Sequence, residues 1–489
     1  MLLWTAVFAA LAVARHRAFW TGRFDLGNMV QAVWSTAQGR PLETTEVGGE
    51  QISRLGAHVD PILVLFAPLW RLWPAPEMLL VTQAGLVALG ALPAFWIGRR
   101  VLADDRLALA IAGAYLLMPA LQYAVLFDFH PVTLAAPLLM TCLWAAIAQR
   151  PIALAIAGAV ALTTQEQIGL LVAGIAIWAA IRTPAARRVY IYIAAAAAAW
   201  SVLAIAVVIP AFSAEGGNPH GNRFGELGDT QGEVLTTIVT RPWELVLVMA
   251  DPSHLAYIPM LLAPVLFAPV LAPSVLAAAL PQLGLNMLAA GEPPRMVEFH
   301  YAVTLVPFIV AATALGIRRL AERRRPRPLV DLARRPGAAA AILLGSLILA
   351  GAVQGPLPVW GWVPGGHGGS PHHGFSPDPE AEALARAVDL VPDGVAVSAS
   401  NAPGAHLSAR ARVHLFPKIA DADWIVISSP ARSDGDLALR RGTLRPGPAA
   451  RQARRVARSG IWERVYREGD VEVYRRAVPQ TASVEPGSP

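Results

Sequence analysis

The chain has 489 residues, of which 55% are hydrophobic and 15% charged, and its mean hydropathy is +0.47. Soluble domains carry about 25% charged residues, so this deficit predicts that lipid surrounds much of the chain. The formal net charge is +6, but the basic residues cluster between apolar runs, as orientation signals do, which argues against nucleic acid as a partner. The single cysteine, Cys142, lies inside an apolar run, which excludes a disulfide framework and a thiolate metal site.

Eleven apolar runs, each bounded by charged residues, proline or glycine, are candidate membrane spans. In chain order they are 2–15, 77–98, 107–127, 132–148, 152–164, 168–181, 189–210, 254–273, 274–290, 302–317 and 338–354. A full crossing takes about 20 residues, so the two short runs are either a re-entrant pair or two short crossings. Prolines interrupt 254–290 and predict discontinuous helices there. We expect an α-helical polytopic membrane protein with about 11 transmembrane helices.

Arginine clusters set the predicted orientation. The connections 99–106, 182–188 and 318–335 are rich in arginine and fall on one side of the threaded chain, which makes that side cytoplasmic. The apolar start, residues 1–14, lacks a basic n-region and predicts a retained first span with a cytoplasmic N-terminus. Loops 16–76 and 211–253 and all eleven histidines then lie outside. We expect this topology in the cytoplasmic (inner) membrane.

The amino-acid composition of the chain changes after residue 354, where the long apolar runs end. We expect a transmembrane domain over 1–354, a Gly/Pro-rich linker over 355–377 and a small extracytoplasmic α/β domain over 378–489. Helical spacing occurs over 379–390 and 449–459, and short strand-like runs occur at 395–398, 413–416 and 424–428. Residues 462–466 and 471–475 flank a turn and predict a hairpin. Strands that alternate with helices favour a compact α/β unit.

Five short polar motifs lie at the ends of apolar runs, and the threading places all of them on the outer face. Acids and imidazoles are costly near hydrocarbon unless they pair, bind a ligand or face water, so together they predict a site. The motifs are Phe24-Asp25-Leu26-Gly27, His58-Val59-Asp60-Pro61, Asp128-Phe129-His130-Pro131, Gln165-Glu166-Gln167 and Glu298-Phe299-His300-Tyr301.

Asp25 follows the first span by about ten residues. An acid at this interface can act as a general base, a metal ligand or a hydrogen-bond acceptor for substrate. The alternative is that Asp25 caps a helix that begins at Leu26. Apolar residues recur at helical spacing over 26–37, which predicts a helix that lies along the membrane surface.

His58 and Asp60 form a pair that can coordinate a cation or, with a protonated imidazole, hold a phosphate. The alternative is a polar loop in which Asp60 caps the next helix, with Pro61 as its first residue. Asp128 and His130 repeat this chemistry at the end of the third run, where the alternative is a wet helix end. Asp60 and Asp128 are therefore the predicted ligands of a divalent cation, Mg²⁺ or Mn²⁺.

Glu166 lies between the two short runs, where an acid is a functional-site hypothesis by default, and the alternative is an exposed turn. Arg295, near Glu298 and His300, is a candidate phosphate clamp because guanidinium matches phosphate in a bidentate fork; the alternative is a solvated loop. Weaker candidates in polar loops and in the linker are Arg223, Asp229, His367, His372 and His373. The chain has no Walker loop, GxSxG elbow, HExxH helix or Rossmann fingerprint.

Five segments together resemble one known family. They are FDLGNMVQAVWSTAQGRP, AHVDPILVLFAPLWRLWP, LFDFHPVTLAAPLL, TTQEQIGLLVAGI and VSASNAPGAHLSARARVHLFPKIADADWIVIS. They are similar to the bacterial and archaeal membrane family called domain of unknown function 2079. By architecture that family resembles the GT-C glycosyltransferases, integral enzymes that use polyprenyl-phosphate sugar donors. In those enzymes a catalytic acid follows the first span, where this chain has Asp25; many members pair that acid with a second one, whereas Asp25 lies between Phe24 and Leu26.

The resemblance implies a GT-C-like inverting transferase at the outer face of the membrane, with a polyprenyl-phosphate-linked sugar as donor. Asp25 would deprotonate the acceptor, and the C-terminal domain would bind it. The leaving phosphate would be stabilised by cationic side chains or by the divalent ion. The predicted substrate-binding residues are Arg54, His58, Asp60, Asp128, His130, Glu166, Arg295 and His300.

Two other classes stay open. One is a transporter or flippase of a lipid-linked or small polar substrate, in which Glu166 couples to protons. Against it, the chain has no internal inverted repeat and its acids crowd one face. The other is a non-catalytic cell-envelope assembly protein that uses its tail as a binding module.

Overall fold

The computed structural model describes residues 1–46, 48–214, 221–228, 230–323, 328–363, 366, 374–428 and 448–477. Most of the described residues are helical, as the apolar runs predict. Asp229, His367, His372 and His373 lie outside these ranges, so their predicted roles stay untested.

The chain forms two compact units. The first, called the helical unit below, comprises Met1–Val13, Arg54–Ile62 and Leu79–His373. The second, the mixed unit, comprises Ala14–Ser53, Leu63–Met78 and Gly374–Pro489. Asp25 therefore belongs to the same unit as the C-terminal residues, a grouping that the sequence patterns alone do not indicate.

Apolar helices dominate the helical unit, to which Met1–Val13 contribute most of the helix Leu2–Arg17. The α-helices that follow are Pro76–Ala88, Ala91–Leu102, Asp105–Leu117, Pro119–Leu126, Ala135–Ile147, Pro151–Leu162, Ile168–Arg182, Arg187–Leu203, Ile209–Phe212, Gln231–Thr240, Pro242–Met249, Pro252–Leu255, Tyr257–Leu262, Pro273–Ala277, Leu280–Met287, Val306–Ala321, Pro328–Ala333 and Pro336–Gln354. The 3₁₀ turns are Arg54–Gly56, Pro61–Phe66, Pro131–Leu134, Pro184–Ala186, Gly221–Phe224, Ala263–Val265, Ala268–Leu271, Pro293–Arg295, His300–Leu305 and Pro358–Trp362, and Ala204–Val208 is a π-helical turn.

Four helical stretches of the described chain are long and apolar enough to cross a membrane: Pro76–Leu102, Pro184–Phe212, His300–Ala321 and Pro336–Gln354. The number rises to six if each of two bent helix pairs is one span, the first bent by 43° before Pro119 and the second by 69° before Pro252. Proline explains both positions, because it cannot donate its backbone hydrogen bond to the preceding turn. The number of eleven spans stays a prediction.

The run over 254–290 is broken, as its prolines predict. Between Tyr257–Leu262 and Leu280–Met287 the chain makes two short 3₁₀ turns and the five-residue helix Pro273–Ala277, each of which begins at or next to a proline. Leu266 and Phe267 both adopt left-handed backbone conformations, with φ of 56° and 54°. Such residues cannot continue a right-handed helix, so this part of the chain is a series of discontinuous helices.

Small residues let neighbouring helices approach closely. A Cβ atom on Gly98 would overlap the backbone of Ala108, and one on Gly169 would overlap the backbone of Ala197. Close backbone contact through small residues is the usual way in which helices associate in lipid, where no hydrophobic force brings them together.

The mixed unit holds the strands β1 (Glu43–Thr45), β2 (Gln51–Ser53), β3 (Val397–Ala399), β4 (Val413–Leu415), β5 (Trp424–Ile427), β6 (Trp462–Glu468) and β7 (Val471–Arg476). β1 and β2 form an antiparallel pair, and the other five form one sheet of order β4-β3-β5-β7-β6. β3 is parallel to β4 and β5, whereas β7 is antiparallel to β5 and β6. The unit's helices are Asn28–Ala37, Ala67–Leu72, Pro379–Asp389, Asn401–His406 and Pro448–Arg458, and Arg23–Gly27 is a π-helical turn.

The five-stranded sheet has an apolar core on each face. One face packs Val397, Val413 and Val473 against Leu384, and the buried ring of Phe19 belongs to the same cluster. The other face packs Ile425 and Tyr474 against Val456 of the helix Pro448–Arg458. A residue that follows the helix Leu2–Arg17 thus completes the core of a sheet built from C-terminal strands.

Candidate functional site

An acid and an imidazole from distant parts of the helical unit form a hydrogen-bonded pair, in which Glu166 is buried and His58 half-buried. His58 follows the 3₁₀ turn Arg54–Gly56, and Glu166 lies in the turn between Pro151–Leu162 and Ile168–Arg182. The His58 Nδ1 atom lies 2.9 Å from Glu166 Oε1, and the Val59 N–H donates to Glu166 Oε2 at 3.0 Å. Both carboxylate oxygens are therefore satisfied, which is what a buried acid requires.

The surroundings of Glu166 keep it ionised. Burial raises its pKa, but the charge of His58, the hydrogen bond from His58 and the backbone N–H of Val59 outweigh burial and lower the pKa to about 2. Ser201 fixes the same turn by donating to the Glu166 carbonyl oxygen at 2.6 Å. The Glu166 carboxylate is thus fixed in position and orients His58. The predicted alternative of an exposed turn is wrong, because Glu166 is only 7% exposed.

A second buried ion pair lies next to the first along the chain. The Arg54 guanidinium donates through Nε and Nη2 to Asp60 Oδ2, at 3.1 and 3.0 Å. Asp60 is 1% exposed, and burial raises its pKa although Arg54 opposes that shift. Its second oxygen, Oδ1, is buried with no hydrogen-bond partner among the described residues.

Gln83 organises the motif that contains Asp128 and His130. This glutamine is fully buried within the apolar helix Pro76–Ala88. Its Nε2 donates to the Asp128 carbonyl oxygen at 2.8 Å, and its Oε1 accepts the His130 N–H at 3.0 Å. Asp128 has a φ of 126°, a conformation that is strained for a residue other than glycine. Gln83 is not among the residues predicted from the sequence, although an amide inside an apolar run is itself a signal.

The imidazole rings of His130 and His300 stack, with centroids 3.8 Å apart and 19° between their planes. The Phe127 ring lies beside both, with its centroid 5.5 Å from that of His130 and 5.8 Å from that of His300. The charges of His130, Arg223 and His58 all act on His300, so the stacked pair lies within electrostatic range of the His58–Glu166 pair. The Nδ1 atom of His300 is buried with no hydrogen-bond partner among the described residues.

Arg295 is engaged by its own loop. Its Nη1 donates to the Ala289 carbonyl oxygen, and partial burial lowers its pKa. This contact favours the predicted alternative of a loop residue, and Arg295 stays a predicted phosphate ligand. Arg223 lies nearer the histidines, with its guanidinium carbon 5.8 Å from the centre of the Tyr301 ring.

Asp25 lies in the mixed unit, within the π-helical turn Arg23–Gly27, and is half-buried. The interpretation of Asp25 as an N-cap at Leu26 is wrong, because the turn begins after Gly22 and the next helix, Asn28–Ala37, follows without a side-chain cap. That helix is buried on most of its surface, whereas a helix lying on a membrane would bury one face.

The structure thus places all eight predicted substrate-binding residues in the helical unit: Arg54, His58, Asp60, Asp128, His130, Glu166, Arg295 and His300. Within the described ranges no three or more His, Cys, Asp or Glu side chains cluster as metal ligands would. Asp60 is also committed to Arg54. A divalent cation at Asp60 and Asp128 stays a prediction.

This constellation is suited to an anion. Imidazolium and guanidinium groups form strong, charge-assisted hydrogen bonds to phosphate. His58 is oriented by Glu166, and Arg223, His130 and His300 add cationic or donor groups within electrostatic range.

Comparisons with known proteins identify a family and a fold for this chain. A family model described as "Predicted membrane protein (DUF2079)" matches residues 15–472. No curated protein matches the chain. The crystal structure of ArnT from Cupriavidus metallidurans bound to undecaprenyl phosphate is similar with a TM-score of 0.53 at 12% identity, covering 97% of each chain. The apo ArnT structure gives a TM-score of 0.49 at 13% identity, covering 96% of this chain and 97% of the other. The first similarity shows a shared fold, the GT-C fold.

Proposed function

We propose a glycosyltransferase function for this chain, which belongs to the DUF2079 family of predicted membrane proteins. It would move a sugar from a polyprenyl-phosphate donor to an acceptor at the outer face of the cytoplasmic membrane. The GT-C fold supports this proposal, and so does the undecaprenyl phosphate bound by ArnT, a protein of the same fold.

The observation that carries the proposal is the set of largely buried ionisable residues in the helical unit. Arg54–Asp60 is an ion pair and His58–Glu166 a hydrogen-bonded acid–imidazole pair in a unit built from apolar helices, and the His130–His300 stack lies within electrostatic range of His58. Burying ionisable residues in such a unit is costly, so they usually mark a substrate pathway or a site. Their excess of imidazole and guanidinium groups suits a lipid phosphate.

The chemistry would be a single displacement with inversion. Asp25 accepts the proton of an acceptor hydroxyl, whose oxygen forms a bond to the anomeric carbon of the sugar. The bond between that carbon and the phosphate oxygen breaks, and its electron pair stays on the lipid phosphate. Such positioned proton transfer contributes about 10²- to 10⁴-fold.

The contacts of Glu166 favour this proposal over proton-coupled transport. A coupling acid must gain and lose its proton near working pH. Glu166 is instead held by His58 and the Val59 N–H, with its pKa lowered to about 2 despite burial.

The test uses cells from which the gene is deleted and then restored as wild type or as Asp25→Asn. Mass spectrometry of the lipid extract measures each polyprenyl-phosphate sugar. We expect one such lipid to accumulate in the deletion, to fall to normal with wild type and to stay high with Asp25→Asn. Asp105→Asn, at an exposed acid on another helix, is the matched control and should restore turnover. Full restoration by Asp25→Asn would overturn the proposed mechanism.

Binding is the second arm. Purified wild-type protein in detergent should bind undecaprenyl phosphate, and His58→Ala should weaken that binding about tenfold or more, as expected for loss of a charged hydrogen bond. Equal binding by both proteins would remove His58 from the lipid-phosphate site.

A further inference from the structure

We infer that Asn401 and Arg23 are positioning residues for Asp25, so that C-terminal residues of the mixed unit shape the turn that carries the proposed base. The catalytic meaning of this inference rests on the proposed function. The geometric part does not, because it concerns the conformation of the turn itself.

Asn401 serves as the N-cap of the Asp25 turn from a remote position in the sequence. The first N–H groups of any helical turn lack partners within the turn and are usually satisfied by the side chain that precedes it. Here Gly22 precedes the turn and offers no side chain. The Phe24 N–H instead donates to Asn401 Oδ1 at 2.9 Å, across 377 residues of sequence.

Gly22 makes room for that amide. A Cβ atom at Gly22 would lie 2.8 Å from Asn401 Nδ2 and 3.0 Å from Asn401 Oδ1. Real Cβ atoms almost never come so close to another heavy atom, so a larger residue would displace the Asn401 side chain. Gly22 and Asn401 thus act together. Because Gly22 has no side chain, it leaves space for the Asn401 side chain, which caps the turn in its place.

Arg23 ties the same turn to β4 and β1. This arginine is 3% exposed. Its Nη2 donates to the Thr45 carbonyl oxygen at 2.7 Å and to the Val413 carbonyl oxygen at 3.1 Å. Further hydrogen bonds reach Gln31 Oε1 and Asn28 Oδ1. A buried guanidinium needs this many acceptors, and they fix the backbone two residues before Asp25.

Close packing leaves the turn little freedom on its other side. A Cβ atom on Gly404 would overlap the Arg23 side chain, and one on Gly27 would overlap Ser408. The segment is also anchored where it enters the unit, since the His406 ring stacks on His16 and Phe19 at 4.0 and 3.9 Å. Contacts of this kind hold the backbone of the turn in one conformation, which a preorganised catalytic side chain requires.

The test measures how readily the turn opens, from the rate at which a cysteine within it is labelled. The chain has one cysteine, Cys142, which is buried, so wild-type protein in detergent provides the blank for maleimide labelling. Leu26 is fully buried, so Leu26→Cys places beside Asp25 a reporter that the maleimide reaches only when the turn opens. Labelling rates are compared for Leu26→Cys alone and combined with Asn401→Ala, Asn401→Asp or Glu382→Ala, the last at an exposed site on the helix Pro379–Asp389.

We expect Asn401→Ala to speed labelling by about 2- to 30-fold, the opening expected when a helix cap is lost. Asn401→Asp keeps an acceptor and should restore the slow rate, and Glu382→Ala should change nothing. An unchanged labelling rate with Asn401→Ala would overturn the inference. If that variant fails to fold, Gly22→Ala serves instead, since it displaces the Asn401 side chain and should give the same acceleration; no acceleration there would likewise overturn it.

Sugar turnover separates this inference from the proposed function. If Asn401→Ala speeds labelling and lowers the turnover number with little change in KM, both stand. If it speeds labelling while Asp25→Asn keeps full turnover, the positioning of the turn stands and Asp25 is not the base.

Discussion

The Nδ1 atom of His58 lies 2.9 Å from Oε1 of Glu166, although 108 residues separate them. The contact ties the 3₁₀ turn Arg54–Gly56 to the turn between two apolar helices. Glu166 also accepts the backbone N–H of Val59, so it fixes both the ring and the backbone that carries it. This pair gives the first prediction.

Glu166→Gln should remove an acid-sensitive part of the stability. In the folded protein the Glu166 pKa is about 2, below its ordinary value of 4.5, because His58 and the Val59 N–H outweigh burial. The unfolded chain therefore binds the extra proton first, so this contribution is present above about pH 4.5 and is lost as the pH falls toward 2. It is on the order of 3 kcal/mol.

The measurement is thermal unfolding in detergent between pH 7 and pH 3. Wild type should unfold at a higher temperature than Glu166→Gln at pH 7, and the two curves should converge as the pH falls. Glu382→Gln, at an exposed carboxylate, should follow wild type throughout. A constant offset between wild type and Glu166→Gln would contradict the prediction.

Asp60→Ala should be far more damaging than removal of both Asp60 and Arg54. The single change leaves the 6%-exposed Arg54 without its partner, which typically costs about 3–5 kcal/mol. Replacing both residues, as in Arg54→Met with Asp60→Leu, leaves no buried charge and should restore most of the unfolding temperature. Arg318→Ala, which breaks the exposed Arg318–Glu322 pair, should cost little. Equal instability of the single and double variants would refute this account.

Gln83→Leu should loosen the Asp128–His130 turn. It removes the donor to the Asp128 carbonyl oxygen and the acceptor of the His130 N–H, at a cost of about 1–3 kcal/mol for buried groups left unpaired. Gln122→Leu is the control, since Gln122 is also buried but makes one long bond of 3.3 Å to Leu116. Gln83→Leu should lower the unfolding temperature and weaken binding of undecaprenyl phosphate, and Gln122→Leu should do neither to the same degree. Identical behaviour of the two variants would count against a special role for Gln83.

A reporter at the C-terminus should lie outside the cytoplasm. Alkaline phosphatase needs an oxidising compartment to become active, and the arginine-rich connections predict that the C-terminal residues are exported. Fusion after residue 489 should therefore give high activity, whereas fusion within 318–335 should give none. The opposite pattern would invert the predicted topology and move Asp25 to the cytoplasmic face.

Hydropathy and proline account for much of the helical unit. The runs over 77–98 and 189–210 correspond to the stretches Pro76–Leu102 and Pro184–Phe212, and the broken stretch follows its prolines. The bend before Pro119 is less accessible to sequence reading. Apolar composition continues across it, and whether a proline kinks a helix or ends it depends on the neighbours that satisfy the freed carbonyl.

The members of the candidate site could be found from sequence, but their pairing could not. Polar residues at the ends of apolar runs identify His58, Glu166 and His130. Which of them meet depends on how helices pack in three dimensions, and no local rule relates positions so far apart. Asp25 shows the same limit, since a capping rule that considers nearby residues cannot anticipate an acceptor supplied by Asn401.

The contacts of Arg23 also determine when the Asp25 turn can form. Arg23 and its partner Val413 are 390 residues apart, so at about 5–20 residues per second the ribosome makes the second roughly 20–80 s after the first. During that interval the arginine has no β4 to bind. We therefore expect the turn to be among the last parts of the protein to mature, and we expect a chain whose synthesis stops before β4 to lack an ordered Asp25.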